Sequence, residues 1–129
     1  MKVKLVSKII PNQPEKKKIH ANAVNAGRKT IHDIARSIAG RSSLTRGDIE
    51  NVLSNFVDEL PEYLADGFSV QLGNFGTIRL SLSSKSADRT EDFDIKSIKP
   101  KIILTPGVEV KDSLRHISYE IVKEEEKKK

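Results

Sequence analysis

Apolar positions recur with two different periods along this chain, and the changes of period divide it. From Lys2 to Ile9 lysines alternate with Val3 and Leu5, and Val6 and Ile9 follow less regularly. Pro11-Asn12-Gln13-Pro14 is a turn stiffened by proline, and alternation resumes from Lys18 to Val24 through Ile19, Ala21 and Ala23. Period two predicts two strands joined as a hairpin. A basic disordered arm is the alternative, and the apolar alternation argues against it. The period then becomes helical. Thr30 is placed as the N-cap of a helix through Ala39, with Ile31, Ile34, Ala35 and Ile38 on one face and Gly40 as its stop. Thr45 opens a second helix, with Asp48 three residues on as a shorter-acid form of the capping box. Ile49, Val52, Leu53, Phe56, Val57, Leu60 and Leu64 form its stripe and Gly67 closes it. Pro61 removes one backbone donor inside that pattern and predicts a kink.

Alternation returns at Phe68. Phe68 to Leu72 and Gly76 to Leu82 predict a hairpin across Gly73-Asn74-Phe75-Gly76, with Val70, Leu72, Ile78, Leu80 and Leu82 making its apolar face. Gly and Asn in this turn are expected to accept positive φ, and Phe75 to plug the core. Lys85 to Asp94 is polar, acidic and turn-like. Ile95 to Leu104 is the next strand, with Pro100 marking an edge or a bulge. Thr105-Pro106-Gly107 ends it, and Val108 to Ile117 predicts a short helix carrying Val110 and Leu114. His116 to Val122 alternates again through Ile117, Tyr119 and Ile121, which fits a last strand pairing with the N-terminal hairpin. The run from Glu124 to Lys129 is expected to fray in solvent.

Charge changes this picture more than composition does. The 129 residues suffice for one ordinary core. There is no cysteine, which excludes disulfides and thiolate metal sites. No apolar run approaches membrane-span length and the first residues do not form an export signal, so the expectation is a cytoplasmic protein without a membrane partner. Net charge is +5, but unevenly spread. Residues 1–29 carry eight basic residues against one acid, and the helical hairpin 30–67 three against seven. Residues 68–94 have three against four, 95–107 three lysines and no acid, and the remainder six of each. A polarised molecule of this kind suits a polyanion, although excess lysine also serves solubility.

Catalytic chemistry finds little support. His20, His32 and His116 fall on three different predicted elements without metal-ligand spacing, and a surface role is expected for each. The serines near position 83 have no base placed beside them. Gly73-Asn74-Phe75-Gly76 joins two strands and lacks the lysine and the strand-to-helix setting of a phosphate-cradling loop. Asp88, Glu91, Asp92 and Asp94 lack the calcium-loop pattern and read as a solvated tip. No enzyme, no cofactor and no metal site is expected.

Two helices, three strands and a short helix, with a Gly-Phe-Gly-like turn at 73–76 and a Pro-Gly exit at 106–107, resemble the HU and integration-host-factor family of bacterial histone-like DNA-binding proteins. The resemblance covers Thr30 to Leu114, and within the family the chain is similar to a long variant with added terminal segments. It implies an α+β, HU-like fold: a helical hairpin base, an antiparallel β-sheet with a projecting β-arm, and extra N- and C-terminal strands. Residues 1–29 would be an N-terminal β-hairpin extension, 30–115 the HU-like DNA-binding domain, and 116–129 a C-terminal strand with a charged tail. It also implies a homodimer and nonspecific, architectural binding of double-stranded DNA in the nucleoid, with β-arms in the minor groove and basic side chains on phosphates. Asn74 in the turn and Lys111, four residues past Gly107, fall on family positions. Arg79, Lys85, Arg89, Lys96, Lys99 and Lys101 are the remaining candidate DNA contacts, with Lys99 and Lys101 on one strand face. Ser81, Ser83 and Ser86 stand where relatives usually present arginines, and the tip 87–92 has no proline, so the family's intercalating kink does not transfer. The alternative is an HU-derived protein-interaction module with weak or lost DNA binding, reaching a protein partner through its terminal strands.

Overall fold

The computed structural model describes residues 1–125. They form two compact units, one of residues 1–28 with the chain from 115 onward, the other of residues 29–114.

The first unit is a three-stranded sheet in the order β2-β1-β6. Strands β1 (Lys2–Ile10) and β2 (Gln13–Ala23) are the alternating segments expected from sequence, paired antiparallel around a tight turn at Pro11-Asn12. The last strand, β6 (Glu120–Glu125), starts later than the alternation from His116 predicts and runs parallel to β1, with Val3 opposite Ile121. Its entry is fixed by the chain start: the Met1 ammonium donates to the Ser118 carbonyl at 2.8 Å, and the Glu120 N–H to the Met1 carbonyl at 3.0 Å. Glu124 and Glu125 therefore belong to a strand, while the rest of the run expected to fray, 126–129, lies outside the described residues.

The second unit begins with two helices, α1 (Ile31–Ala39) and α2 (Arg46–Ala65). Thr30 caps α1 reciprocally: its Oγ1 accepts from the Asp33 N–H, and the Asp33 carboxylate accepts from the Thr30 N–H. These bonds hold the Asp33 carboxyl below its usual range, chiefly through the Thr30 backbone N–H. Thr45 repeats the forward half, accepting from Asp48. Pro61 is accommodated within a continuous helix. The C-terminus of α2 closes as a Schellman motif, with Gly67 at φ +91°, its N–H on the Leu64 carbonyl and the Phe68 N–H on the Tyr63 carbonyl. Ala35, Ile49 and Leu64 are the buried apolar side chains of the helices. Beside them His32 is half-buried and ties the pair together: its Nδ1 lies 3.1 Å from Glu50 Oε2 and 2.8 Å from Arg46 Nη1, and Arg36 Nη2 lies 3.2 Å from Nε2. It is a surface histidine, as expected, and its partners Arg46 and Glu50 make it a junction between the two helices. Thr30→Ala should cost about 1 kcal/mol in thermal denaturation. Because a depressed carboxyl stabilises above its unfolded range and that stability is lost as pH falls through its folded value, the wild-type advantage should shrink in acid.

The sheet of this unit has the order β3-β4-β5, all antiparallel. Its first strand is shorter than expected, only Val70–Gln71 (β3), because Gly73–Phe75 winds into a 3-10 turn. Strands β4 (Gly76–Ser83) and β5 (Lys99–Pro106) make the main ribbon, with register Gly76↔Pro106 through Ser83↔Lys99. Pairing stops there. The predicted strand from Ile95 begins only at Lys99, since Asp94 Oδ1 accepts from the Lys96 N–H and turns Ile95–Ser97 into a 3-10 turn. Pro100 sits on the edge strand, where a missing donor costs no ladder bond. A third helix, α3 (Val108–Arg115), follows Gly107.

Candidate nucleic-acid interface

The β4–β5 register sorts side chains onto two faces. Ile78, Leu80 and Leu82 lie opposite Leu104, Ile102 and Pro100, and Val70 of β3 pairs with Ile78 on the same apolar side. The other face carries Thr77, Arg79, Ser81 and Ser83 opposite Thr105, Ile103, Lys101 and Lys99. Three of the sequence-derived candidates, Arg79, Lys99 and Lys101, thus share one ribbon face, which holds hydroxyls and no acid. Arg79, Lys99 and Lys101 are all exposed.

Beyond the last ladder pair, residues 84–98 fold on themselves. The Lys85 N–H donates to Ser97 Oγ at 3.2 Å, and the Ser97 hydroxyl donates to the Asp94 carbonyl at 2.6 Å. Ser83, Ser84, Lys85, Asp94, Lys96, Ser97 and Lys99 line one open hollow. Lys85 and Lys96 therefore join Lys99 at the end of the basic ribbon face. Asp94, read from sequence as part of a solvated acidic tip, stands among these three lysines and also caps the Lys96 turn. Arg89 lies apart from this hollow, at the start of a 3-10 turn over Thr90–Asp92.

Asn74 and Lys111 are positioned at the opposite end of the ribbon. There the turn at 73–76 and the exit at 106–107 interlock. The Gly107 N–H donates to the Phe75 carbonyl at 2.9 Å, and the Leu72 N–H to the Gly76 carbonyl at 2.7 Å. A Cβ on Gly107 would collide with the Asn74 carbonyl oxygen, and one on Gly76 (φ +148°) with that of Thr105. The positive φ values fall on Gly73 and Gly76, whereas Asn74 keeps an ordinary negative φ. The Phe75 N–H is spent on the Leu72 carbonyl inside the turn. Phe75 is not the core plug expected: the residue is 53% exposed in the single chain, and its backbone makes the anchoring contact. Asn74 shares a second open hollow with Gly107, Val108 and Glu109; Lys111 does not line it. Lys111 instead sits on the first turn of α3, its N–H on the Gly107 carbonyl.

Among the described residues no cluster of histidine and acidic side chains could hold a metal ion, and no helix is long and apolar enough to cross a membrane.

Residues 1–121 match the protein family described as an HU domain fused to a winged helix-turn-helix, Ig or glycine-rich motif. The chain belongs to this HU-HIG family. Among curated proteins no sequence matches it. Two solved structures share the HU-HIG chain's fold. One is a candidate bacterial DNA-binding protein from Bacteroides vulgatus, with TM-score 0.64 and 14% identity, covering 98% of this chain and 50% of that one. The chain therefore spans half the length of that protein. The other is the HU protein of Anabaena in a cocrystal with DNA, with TM-score 0.55 and 14% identity, covering 69% of this chain and all of that one. At such identity the likeness is one of fold.

Proposed function

We propose that residues 30–115 of this HU-HIG protein form a domain that binds double-stranded DNA through its phosphates, as a homodimer and with little sequence preference. The observation that carries this reading is the acid-free face of Arg79, Lys99 and Lys101, continued by Lys85 and Lys96 around the adjoining hollow. Lysine and arginine at successive positions of a ribbon neutralise a line of phosphates, and affinity then comes from counterion release rather than base reading. The β4–β5 ribbon with residues 84–98 serves as the arm of the saddle. Without a proline wedge, it bends the duplex less sharply than proline-tipped relatives. Residues 1–29 and 116–129 are the extension of this domain. The role is architectural, in the nucleoid of the cytoplasm, and not enzymatic.

Exposed apolar surface supports the dimer. On α2, Val52, Phe56 and Val57 are 61, 44 and 47% exposed, and on the apolar sheet face Leu82, Ile102 and Leu104 are 63, 64 and 43% exposed. Helix and sheet positions that should form a core are left uncovered, and a second copy burying them removes that surface from water.

A titration of random-sequence duplex over a salt series tests the reading, with sedimentation at micromolar protein for the dimer. Log affinity should fall linearly with log salt, with a slope of about −0.9 for each phosphate contacted. Affinity indifferent to salt, or no binding at low salt, would favour the protein-interaction alternative. A monomer in sedimentation would remove the shared saddle.

A further inference from the structure

The terminal sheet carries a second cationic surface that the arm reading does not use. The β1–β2 register pairs Lys4 with Asn22, Val6 with His20 and Lys8 with Lys18. Residues directly opposite in a sheet point to the same side, and alternate residues along a strand return to it. One face therefore collects Lys2, Lys4 and Lys8 from β1 with Lys18 and His20 from β2, while Val3, Leu5, Ile9, Ile19, Ala21 and Ala23 occupy the other together with Lys17. Glu15 is the only acid in the sequence of β1 or β2, while on β6 Glu120 stands opposite Lys2 and Glu125 opposite Val6. Lys8 and Lys18 are both exposed and stand directly opposite one another. Like charges in register are destabilising, so the pair works against the sheet in the free protein and favours an anionic occupant.

Protection of an open edge does not explain this arrangement. Lysines on β2 would serve that purpose, but Lys2, Lys4 and Lys8 are on the central strand. Val6 lies on the same face between Lys4 and Lys8 and is nevertheless only 8% exposed. The row from Lys2 to Lys8 is about 20 Å long at the rise of a strand. That exceeds the roughly 12 Å width of a duplex major groove, so one row reaches the phosphates on both rims.

We infer that the lysine face of the β2-β1-β6 sheet is a second duplex-DNA site, separate from the β4–β5 ribbon, and that the protein can hold two duplexes at once. Two sites on one molecule make it a bridging protein in addition to one that shapes a single duplex. The contacts are to phosphates, because this face presents mainly lysine ammonium groups, compact point charges that neutralise phosphate oxygens, with Asn22 beside them.

The test uses the full chain on beads carrying one immobilised random-sequence duplex, with a second, fluorescent duplex in solution. Wild type should retain the second duplex on the beads. Lys2→Gln, Lys8→Gln and Lys18→Gln together should lower that retention about tenfold or more while the protein itself stays bound to the beads. Removing opposed like charges should not cost folding, and an unchanged circular dichroism melt confirms it. Failure of wild type to capture a second duplex, or equal capture by the triple variant, would overturn the inference. Lys96→Gln, Lys99→Gln and Lys101→Gln, run in parallel, separate it from the arm reading. If this second variant binds like wild type while the terminal-sheet variant loses all binding, the sheet is the site and the arm reading fails. Capture of polyglutamate in place of a second duplex would assign the face to an acidic protein and overturn the DNA site.

Discussion

Gly107→Val is expected to be the most destabilising single substitution in residues 29–114, at about 3 kcal/mol or more. The first atom added to Gly107 meets the carbonyl oxygen and carbon of Asn74, both backbone, so no side-chain rotation relieves the clash. Relief requires the turn at 73–76 to withdraw from the strand exit, which breaks the bond from the Gly107 N–H to the Phe75 carbonyl. That bond and the adjoining Gly76↔Pro106 pair start the β4–β5 ladder, and the register of every basic residue on the ribbon follows from them. For a domain of this size the loss corresponds to a fall in Tm of roughly 12 °C or more. Helical circular dichroism reports it cleanly, since among the described residues the α-helices all lie between Ile31 and Arg115. Gly47→Ala is the control. That glycine is inside α2, and an added Cβ meets nothing closer than Thr45 Oγ1 at 4.0 Å. It should raise stability by about 0.5–1 kcal/mol through helix propensity. A melt of Gly107→Val matching wild type would mean that the two glycine motifs do not interlock.

The interlock also shows what the sequence made legible. Gly73-Asn74-Phe75-Gly76 and Pro106-Gly107 are far apart in the chain, and each alone reads only as a turn. Their joint presence signalled the fold through family resemblance, and the structure supplies the physical reason, two backbones crossing too closely for a Cβ. Helix boundaries were legible because capping is local: Thr30, Thr45 and Gly67 set them within a few bonds. The faces of β4 and β5 were legible for the same reason, since period two and one ladder fix them. Less local features were not. Phe75 is a large apolar residue at a turn, and periodicity cannot tell a ring packed within its own chain from one left open on it. The start of β5 was misplaced because Asp94 competes for the Lys96 N–H, a side-chain bond that hydrophobic alternation does not register. The same aspartate was counted with a solvated tip, yet it stands among Lys85, Lys96 and Lys99, a placement that depends on how residues 84–98 fold back. The partners of His32 were equally opaque: Arg46 and Glu50 come from the next helix.

Replacing Lys96, Lys99 and Lys101 together by Glu should lower affinity for random-sequence duplex by at least about 100-fold near physiological salt. Each lysine lost as a phosphate contact removes about 0.9 from the salt slope, and each glutamate adds repulsion that salt then relieves. Residual binding by the variant should therefore vary less steeply with salt than that of wild type. Folding should survive, because Lys99 and Lys101 are exposed and lie opposite Ser83 and Ser81, with no acidic partner on that face to lose. Asp94→Asn should move affinity the other way. Asparagine keeps an acceptor for the Lys96 N–H, so the turn is preserved while the one negative charge beside Lys85, Lys96 and Lys99 is removed. A gain from Asp94→Asn together with a loss from the triple glutamate variant requires a polyanion at this end of the ribbon. A protein partner held through the apolar or terminal strands would be indifferent to both. Opposite signs from neighbouring substitutions of opposite charge are difficult to produce by unfolding, which lowers binding in either case.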